Sequence, residues 1–305
     1  MNSITIHAPA KINLTLDVTG VRPNGYHEVR MVMQTIGLYD RIDLKKTPER
    51  EGILLDLANP FASLGAGTAA ELVPCDEHNL AYKAAVLFFD KAAAKGIRPE
   101  GIRILITKNI PVAAGMAGGS TDGAGVLRGL NKLYGEPFST EELLEMSPLL
   151  GADVAFCVMG GTALSEGIGE VLTPLPSAAG LKLLVAKPDI SVSTAEVYGL
   201  LDARPIQKHP DTESMIDAIR QRDERGIAGC LGNVLADVTM PLHPEIGRIR
   251  DLMLEYGALG ALMSGSGPTV FGIYERNEDI EKACGALMDL GYTQVFMTAT
   301  TDMES

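Results

Sequence analysis

The chain has 305 residues, and its 46% apolar and 21% charged residues are ordinary for a folded globular protein. Its 26 Lys and Arg against 39 Asp and Glu give a net charge of −13, which disfavours nucleic acid or an anionic membrane as the main partner. The first residues lack the features of a secretory signal, and no stretch of about 18 apolar residues predicts a membrane span. Four scattered cysteines predict reduced thiols in a cytoplasmic protein.

The first half of the chain predicts a mixture of strands, turns and one long helix. Alternating apolar residues predict strands over 4–8 and 12–18, separated by Pro9. The segment Arg22–Gly25 is predicted as a turn, because Asn-Gly tolerates a positive φ. Residues 58–74 are predicted to be irregular. Further elements are strands over 41–45, 52–57, 102–106 and 154–158, a helix over 79–95, and helices after Pro111–Gly125 and at the capping box Ser139–Glu142.

The second half continues the mixture in uneven order. Strands are predicted over 182–186, 270–274 and 295–298, and helices over 194–198, 212–223, 226–238, 244–257 and 278–290. Ser193–Glu196 is a second predicted capping box. The uneven order predicts an α+β fold rather than a doubly wound sheet, with a domain boundary between residues 160 and 180.

A glycine-rich loop lies between a predicted strand and a predicted helix. Such a loop lets backbone N–H groups approach an anion, and the following helix start adds further donors and a partial positive charge. The predicted phosphate-binding residues are Pro111, Val112, Ala113, Ala114, Gly115, Met116, Ala117, Gly118, Gly119, Ser120 and Thr121. The loop has no Walker A lysine and no Rossmann spacing, and a looser Rossmann-like match at Gly65–Ala70 follows no clear strand. A tight turn without a ligand is the alternative.

Two other segments bear on this choice. Gly265–Thr269 is a second loop of small residues before a strand, for which a plain hairpin is the alternative interpretation. Lys11 lies inside an otherwise apolar strand. A buried lysine needs a partner, whereas alternation alone favours a charge that faces solvent at an edge.

Together these segments resemble the GHMP kinase superfamily. Its motif P-x-x-x-G-[LM]-x-G-G-S-[ST] is matched by Pro111–Thr121, and its C-terminal glycine motif by Met263–Thr269. Four more segments resemble one branch of the superfamily, namely residues 8–14, 23–28, 151–156 and 187–195. Gly123 and Gly125 depart from the pattern, because the family more often has alanine there. Each glycine weakens the following helix by up to about 1 kcal/mol.

The resemblance implies a reaction, cofactors and a domain arrangement. It implies ATP-dependent phosphorylation of a hydroxyl, at position 2, of a cytidine-diphosphate-linked methylerythritol, which is a step of the non-mevalonate route to isoprenoid precursors. Mg²⁺ is expected with the ATP. The implied fold has a nucleotide-binding N-terminal domain over residues 1–163 and a C-terminal domain over 164–305, with the active site in the cleft between them.

The resemblance also implies roles for particular residues. Asp153 would accept the proton of the attacking hydroxyl, and Lys11 would offset the negative charge that develops on the phosphoryl group. Residues 111–121 would hold the ATP phosphates, with Ser120 or Thr121 as a candidate magnesium ligand and the other metal ligands left open. At the cytidine end, the base would stack between Tyr26 and Tyr198, and His27 would bind its polar edge. Asn13 would hold substrate near Lys11.

Two alternatives stay open at this stage. The first is another kinase of the superfamily that acts on mevalonate, homoserine or a sugar, none of which offers a base to stack on Tyr26. The second is a nucleotide-binding sensor without catalysis, against which Lys11 and Asp153 argue. The expected partner is a small molecule, with no nucleic acid and no membrane, and the sequence leaves the oligomeric state open.

Overall fold

The computed structural model describes residues 1–58, 73–98 and 100–303. Within these ranges the strands are β1 (Ser3–Val21), β2 (His27–Lys46), β3 (Ile53–Ala58), β4 (Ile102–Thr107), β5 (Thr162–Glu166), β6 (Val171–Pro174), β7 (Lys182–Lys187), β8 (Gly232–Asn233), β9 (Gly260–Met263), β10 (Val270–Tyr274) and β11 (Gln294–Ala299). The α-helices are α1 (Leu80–Ala94), α2 (Gly118–Leu133), α3 (Thr140–Met146), α4 (Ala152–Met159), α5 (Thr194–Asp202), α6 (Thr212–Gln221), α7 (Glu224–Gly229), α8 (Ala236–Leu242), α9 (Pro244–Glu255) and α10 (Asn277–Asp289). The Gly65–Ala70 match and most of the predicted irregular segment 58–74 lie outside the described residues.

The chain forms two compact units, each assembled from separate segments. The first unit consists of Met1–Ala10, Leu38–Val112 and Ala117–Met159, and the second consists of Lys11–Gly37, Ala113–Met116 and Gly160–Ser305. Strands β1 and β2 therefore each contribute residues to both units. The domain boundary between residues 163 and 164 stays a prediction.

In the first unit, β4 pairs with β3 in parallel and with Arg41–Lys46 of β2 in antiparallel register. The alternating Ile102, Ile104 and Ile106 of β4 are fully buried, because successive side chains of a strand point to opposite faces and one face is covered. Helix α2 packs against both α1 and α4. Helix α2 begins at Gly118, directly after the loop residues 111–117.

In the second unit, four antiparallel strands form a sheet in the order β11-β7-β10-β9. Helix α9 packs on β9 and β10 and buries Ile246, Ile249 and Met253 completely, as its helical spacing predicts. In the same unit β5 pairs with Met31–Gln34 of β2, and β8 pairs with Thr15 and Leu16 of β1.

Most predicted elements are confirmed, including the α+β fold class. The structure contains the predicted strands over 102–106, 182–186, 270–274 and 295–298 and the predicted helices that begin at residues 80, 212 and 244. The capping box of α3 is complete: the Ser139 hydroxyl accepts from the Glu142 N–H at 3.3 Å, and the Glu142 carboxylate accepts from the Ser139 N–H at 2.8 Å.

Three predictions of secondary structure are wrong. Residues 154–158 form part of helix α4, not a strand, and all five are buried, so the alternation of large residues did not mark an exposed face. The predicted helix over 226–238 is two short helices separated by β8. The two predicted strands around Pro9 are one continuous strand, β1.

The four cysteines, Cys75, Cys157, Cys230 and Cys284, are free thiols, as predicted. Among the described helices, none combines the length and the apolar character that crossing a membrane requires.

Candidate active site

The predicted phosphate-binding segment contains a loop and the first turn of a helix. Ala113 and Ala117 have positive φ angles of 51° and 57°, and Gly115 has a φ of 71°. Helix α2 begins at Gly118. Gly118, Gly119, Ser120 and Thr121 are therefore helical residues, whereas the sequence analysis extended the loop to Gly125.

The two glycine motifs of the sequence contact each other within the second unit. The Ser264 hydroxyl donates to the Gly115 carbonyl at 3.0 Å. A methyl group on Gly115 would lie 2.3 Å from the Ser264 carbonyl oxygen, and one on Gly265 would lie 3.0 Å from the Gly115 carbonyl oxygen. Glycine at 115 is thus favoured by its positive φ and required by this close approach. Gly265–Thr269 lies in the hairpin that joins β9 to β10, as the alternative interpretation expected, and the same hairpin also supports the loop at Gly115.

Polar side chains hold the second glycine motif in place. The Asn233 amide donates to the carbonyls of Met263 and Gly265, both at 2.8 Å. The Thr239 hydroxyl donates to the Ser266 carbonyl at 3.2 Å. Asn233 and Thr239 are buried, so these bonds are shielded from water. Sequence reasoning missed both residues, since nothing near them in the chain indicates a glycine loop.

The start of α2 suits an anion. Its N-cap residue, Ala117, makes no side-chain hydrogen bond to the helix, so no N-cap side chain occupies the first-turn N–H groups. Gly119 is exposed, and Ser120 is half-buried. The Thr121 hydroxyl donates to the Pro9 carbonyl at 2.7 Å and is buried. Of the two candidate magnesium ligands, Ser120 therefore has the more accessible hydroxyl.

Lys11 and Asn13 form a buried pair on β1. Lys11 is 4% exposed, and its Nζ donates to Asn13 Oδ1 at 2.8 Å. The two side chains lie on one face because they are two residues apart in a strand. The backbone N–H of Lys11 also donates to the Met116 carbonyl at 3.2 Å, which connects β1 to the glycine-rich loop. The alternative of a solvent-facing charge at position 11 is therefore wrong.

Asp153 lies in the first turn of α4 and is half-buried. A carboxylate is favourable there because the N-terminal end of a helix carries a partial positive charge. Asp153 belongs to the first unit and Lys11 to the second, so the catalytic pairing of these residues stays a prediction.

A buried ionic cluster in the first unit supports the start of α2, and sequence reasoning missed it. The Lys108 ammonium donates to Asp40 and, at 2.7 Å, to Asp122 Oδ2. A Cβ on Gly118 would lie 3.5 Å from Lys108 Nζ. Asp40 also accepts the N–H groups of Asn109 and Ile110, at 2.6 and 2.8 Å. The cluster thus fixes the residues directly before the glycine-rich loop.

The two carboxylates of this cluster share one ammonium group. Asp122 Oδ1 is buried without a hydrogen-bond partner among the described residues. Burial, opposed by Lys108 and reinforced by the charge of Asp40, raises the pKa of Asp122 to about 8. Asp122 therefore keeps its proton up to about pH 8 in the folded protein.

Three of the predicted substrate-binding residues lie in the second unit around the start of β2. His27 and Tyr198 have ring centroids 4.5 Å apart, tilted by 37°. Tyr26 precedes them and is 58% exposed. Sequence reasoning missed Asp202, whose Oδ1 lies 2.8 Å from His27 Nε2. Its position one helical turn after Tyr198 on α5 was the available signal.

Among the described residues, one group of side chains has the spacing of a metal site: Asp76, Glu77 and His78. All three are exposed, and exposed acidic groups commonly lack an ion. They match no motif of the sequence analysis.

Comparison with known proteins identifies the fold and the chemistry. The model of the GHMP kinases N terminal domain matches residues 79–161, and that of the GHMP kinases C terminal domain matches residues 215–293. The chain belongs to the GHMP kinase family. The first of these matches contains the glycine-rich loop and Asp153, and the second contains the Gly265–Thr269 motif. The protein therefore belongs to a family of enzymes that transfer a phosphoryl group to an alcohol.

Within the GHMP kinases, the chain is similar to relatives that share one name. It is 46% identical over 299 residues to 4-diphosphocytidyl-2-C-methyl-D-erythritol kinase of Caldicellulosiruptor saccharolyticus, covering 98% of this chain and 97% of the relative. It is 48% identical over 280 residues to the enzyme of that name from Bacillus velezensis, covering 92% and 91%.

Solved structures of GHMP kinases have the same fold as this chain. The crystal structure of a 4-(cytidine 5'-diphospho)-2C-methyl-D-erythritol kinase is 32% identical, covers 98% of this chain and 100% of that chain, and has a TM-score of 0.78. Homoserine kinase from Cytophaga hutchinsonii, at 18% identity and a TM-score of 0.75 over 99% and 95% of the two chains, shares the fold.

Proposed function

We propose that this protein is an ATP-dependent kinase that phosphorylates the 2-hydroxyl of 4-diphosphocytidyl-2-C-methyl-D-erythritol, in the non-mevalonate route to isoprenoid precursors. The observation that carries the proposal is the similarity, at 46–48% identity over more than nine-tenths of the chain, to kinases of that name. The segments that predicted this acceptor from the sequence all lie among the described residues. The free thiols support placing the reaction in the cytoplasm.

The start of α2 and the loop before it are the proposed ATP site. The uncapped first turn offers backbone N–H donors, and the exposed Gly119 leaves space for phosphate oxygens. ATP would supply the phosphoryl group, and the accompanying Mg²⁺ would neutralise the negative charge of the phosphates. Ser120 is the proposed protein ligand of the ion, because Thr121 is fully buried whereas Ser120 is partly exposed.

Lys11 and Asp153 are the proposed catalytic residues. Asp153 orients the attacking hydroxyl and takes its proton, and the cost of that proton transfer falls as the bond to phosphorus forms. Lys11 places a positive charge where negative charge develops, and its bond to Asn13 fixes the ammonium. Asn13 is the proposed neighbour of the acceptor in this arrangement.

The cytidine end of the acceptor is assigned to Tyr26, His27 and Tyr198. Exposed Tyr26 offers a ring for stacking on the base, and stacking contributes about 1–3 kcal/mol per base. The Tyr198 ring lies against the His27 ring and holds it in place. His27 is the residue that contacts the polar edge of the base.

Another acceptor is the main competing proposal, since homoserine and mevalonate kinases share this fold. Their identity to this chain is 18%, which shows the fold alone. Neither homoserine nor mevalonate has a base for Tyr26 and His27 to bind.

The test is release of ADP from ATP with Mg²⁺, measured with the cytidine-linked methylerythritol, mevalonate and homoserine as acceptors. We expect turnover with the cytidine compound alone. Turnover with mevalonate or homoserine instead would replace the proposed acceptor, and nucleotide binding without turnover on any hydroxyl would favour a sensor.

A further inference from the structure

His27 is held from two sides by helix α5. Asp202 Oδ1 lies 2.8 Å from His27 Nε2, and the Tyr198 ring packs against the imidazole at 4.5 Å between centroids. The His27 side chain is 12% exposed, whereas that of Asp202 is 47% exposed. The imidazole therefore has a fixed plane and one fixed hydrogen-bond partner.

The bond to Asp202 determines where the imidazole proton resides. An ionised carboxylate only accepts hydrogen bonds, so Nε2 must carry the hydrogen. In a neutral ring the other nitrogen, Nδ1, is then an acceptor. Within the described part of the chain, Nδ1 has no hydrogen-bond partner of its own. One acceptor at a fixed position is thus left for a ligand.

We propose that Asp202 is a positioning residue that makes His27 select cytosine over uracil. This inference rests on the proposed function and deepens it. Cytosine presents an amino donor at its 4-position, where uracil presents a carbonyl acceptor. With Nε2 protonated by its bond to Asp202, Nδ1 of His27 accepts from the amino group and repels the carbonyl. The opposite tautomer would reverse this preference.

The carboxylate acts through the imidazole and does not contact the base in this proposal. Removing it leaves His27 free to adopt either tautomer, because no acceptor then favours hydrogen on Nε2. Asparagine at position 202 has the same consequence, since its amide can accept from Nε2–H or donate to bare Nε2. Selectivity is therefore expected to fall in both variants.

The experiment combines a spectroscopic and a kinetic readout. Nitrogen-15 NMR of the imidazole at about pH 8 reports which nitrogen of His27 is protonated, without any ligand. The ratio of kcat/KM for the cytidine acceptor to that for its uridine counterpart reports selectivity. Both are measured for wild type, Asp202→Ala and Asp202→Asn, with Glu196→Ala, an exposed carboxylate on the same helix, as control.

We expect a single Nε2–H tautomer in wild type and in Glu196→Ala, and a mixture in both Asp202 variants. The cytidine-to-uridine ratio should fall by about tenfold or more in those variants and stay unchanged in Glu196→Ala. An unchanged ratio in Asp202→Ala, or a doubly protonated ring in wild type, would overturn the inference. Absence of wild-type turnover on the cytidine acceptor would instead refute the proposed function, because the NMR result does not depend on it.

Discussion

Ser264 and Gly115, 149 positions apart in the chain, are joined by a 3.0 Å hydrogen bond from the Ser264 hydroxyl to the Gly115 carbonyl. Each of these residues lies in a glycine motif that, taken alone, is compatible with an ordinary turn. Their contact makes the shape of the glycine-rich loop depend on the second motif. The loop that connects β4 to α2 is therefore held in shape by a contact with a distant part of the chain.

Gly115→Ala is expected to damage this contact. Its φ of +71° disfavours alanine by about 1 kcal/mol, and the added methyl would lie 2.3 Å from the Ser264 carbonyl oxygen. We expect weaker binding of an ATP analogue and a lower free energy of unfolding. Calorimetric titration and chemical unfolding measure the two.

Gly291→Ala is the matched control for that variant. Gly291 also has a positive φ, of 92°, but nothing lies within 4 Å of an added Cβ. It should lose about 1 kcal/mol of stability and keep full affinity for the analogue. Equal losses of affinity in the two variants would show that the contact with Ser264 is unimportant.

Local sequence patterns correctly predicted the strands and helices that have one buried face and one exposed face. The alternating isoleucines of β4 and the helical spacing of Ile246, Ile249 and Met253 in α9 each have a buried and an exposed face. Helix α4 was mistaken for a strand because large residues alternate at Val154, Phe156 and Val158, although all five residues of 154–158 are buried and the alternation separates no exposed face. Strand β1 tolerates Pro9 inside it, since β8 pairs with β1 only at Thr15 and Leu16.

Asp153→Asn is expected to reduce kcat by a factor of about 10²–10⁴, because the amide keeps the shape of the carboxylate but takes no proton. Binding of an ATP analogue should be unchanged. Steady-state kinetics at saturating substrates is the measurement, and near wild-type kcat would remove Asp153 from the mechanism.

Lys11→Met should lower kcat more than it raises KM, since a charge that acts on the transition state is lost. Lys91→Met, which removes an exposed lysine of α1, is the control and should leave both constants unchanged. If only KM rises in Lys11→Met, Lys11 binds substrate and has no role in the chemical step.

Replacing the two unusual glycines of α2, Gly123 and Gly125, by alanine should change the stability of the protein in opposite directions. A Cβ on Gly123 would meet its nearest neighbour, the Leu80 carbonyl oxygen, at 3.4 Å, so Gly123→Ala should stabilise the protein by up to about 1 kcal/mol. A Cβ on Gly125 would lie 2.5 Å from Ile42 and 3.2 Å from Ala8, so Gly125→Ala should cost about 1–3 kcal/mol. Thermal unfolding of both variants is the check, and a shift of equal sign would contradict the packing argument.

The raised pKa of Asp122 predicts a pH dependence of stability. The folded state keeps a proton on Asp122 up to about pH 8, whereas an unfolded Asp loses it near pH 4. The stabilising contribution is therefore complete below about pH 4 and is lost as the pH rises towards 8.

Asp122→Asn keeps the neutral form at every pH, so the fall of unfolding free energy between about pH 5 and pH 8 should become shallower than in wild type. Asp90→Asn, at an exposed position of α1, should leave the slope as it is. Urea unfolding across this pH range measures how the unfolding free energy changes with pH. Identical slopes in wild type and Asp122→Asn would show that Asp122 does not carry the proton.

The candidate site was only partly predictable from the sequence. Lys11 and His27 stood out because each is a polar residue in a context that packing does not explain. Asp40, Asn233 and Asp202 act through partners that are distant in the chain, and no local pattern marks such contacts. The resemblance to the GHMP kinases supplied the roles of the residues, and the structure supplied the partners that hold them.

The central claim is that the cytidine end of the acceptor is bound far from the reacting hydroxyl. The most direct measurement compares kcat and KM for the cytidine-linked methylerythritol with those for methylerythritol phosphate, which has the same hydroxyl but no cytidylyl group. Because remote binding energy orients the reacting group, we expect the smaller acceptor to lose kcat as well as apparent affinity. Equal kcat/KM for the two acceptors would contradict the assignment of Tyr26, His27 and Tyr198 to the base.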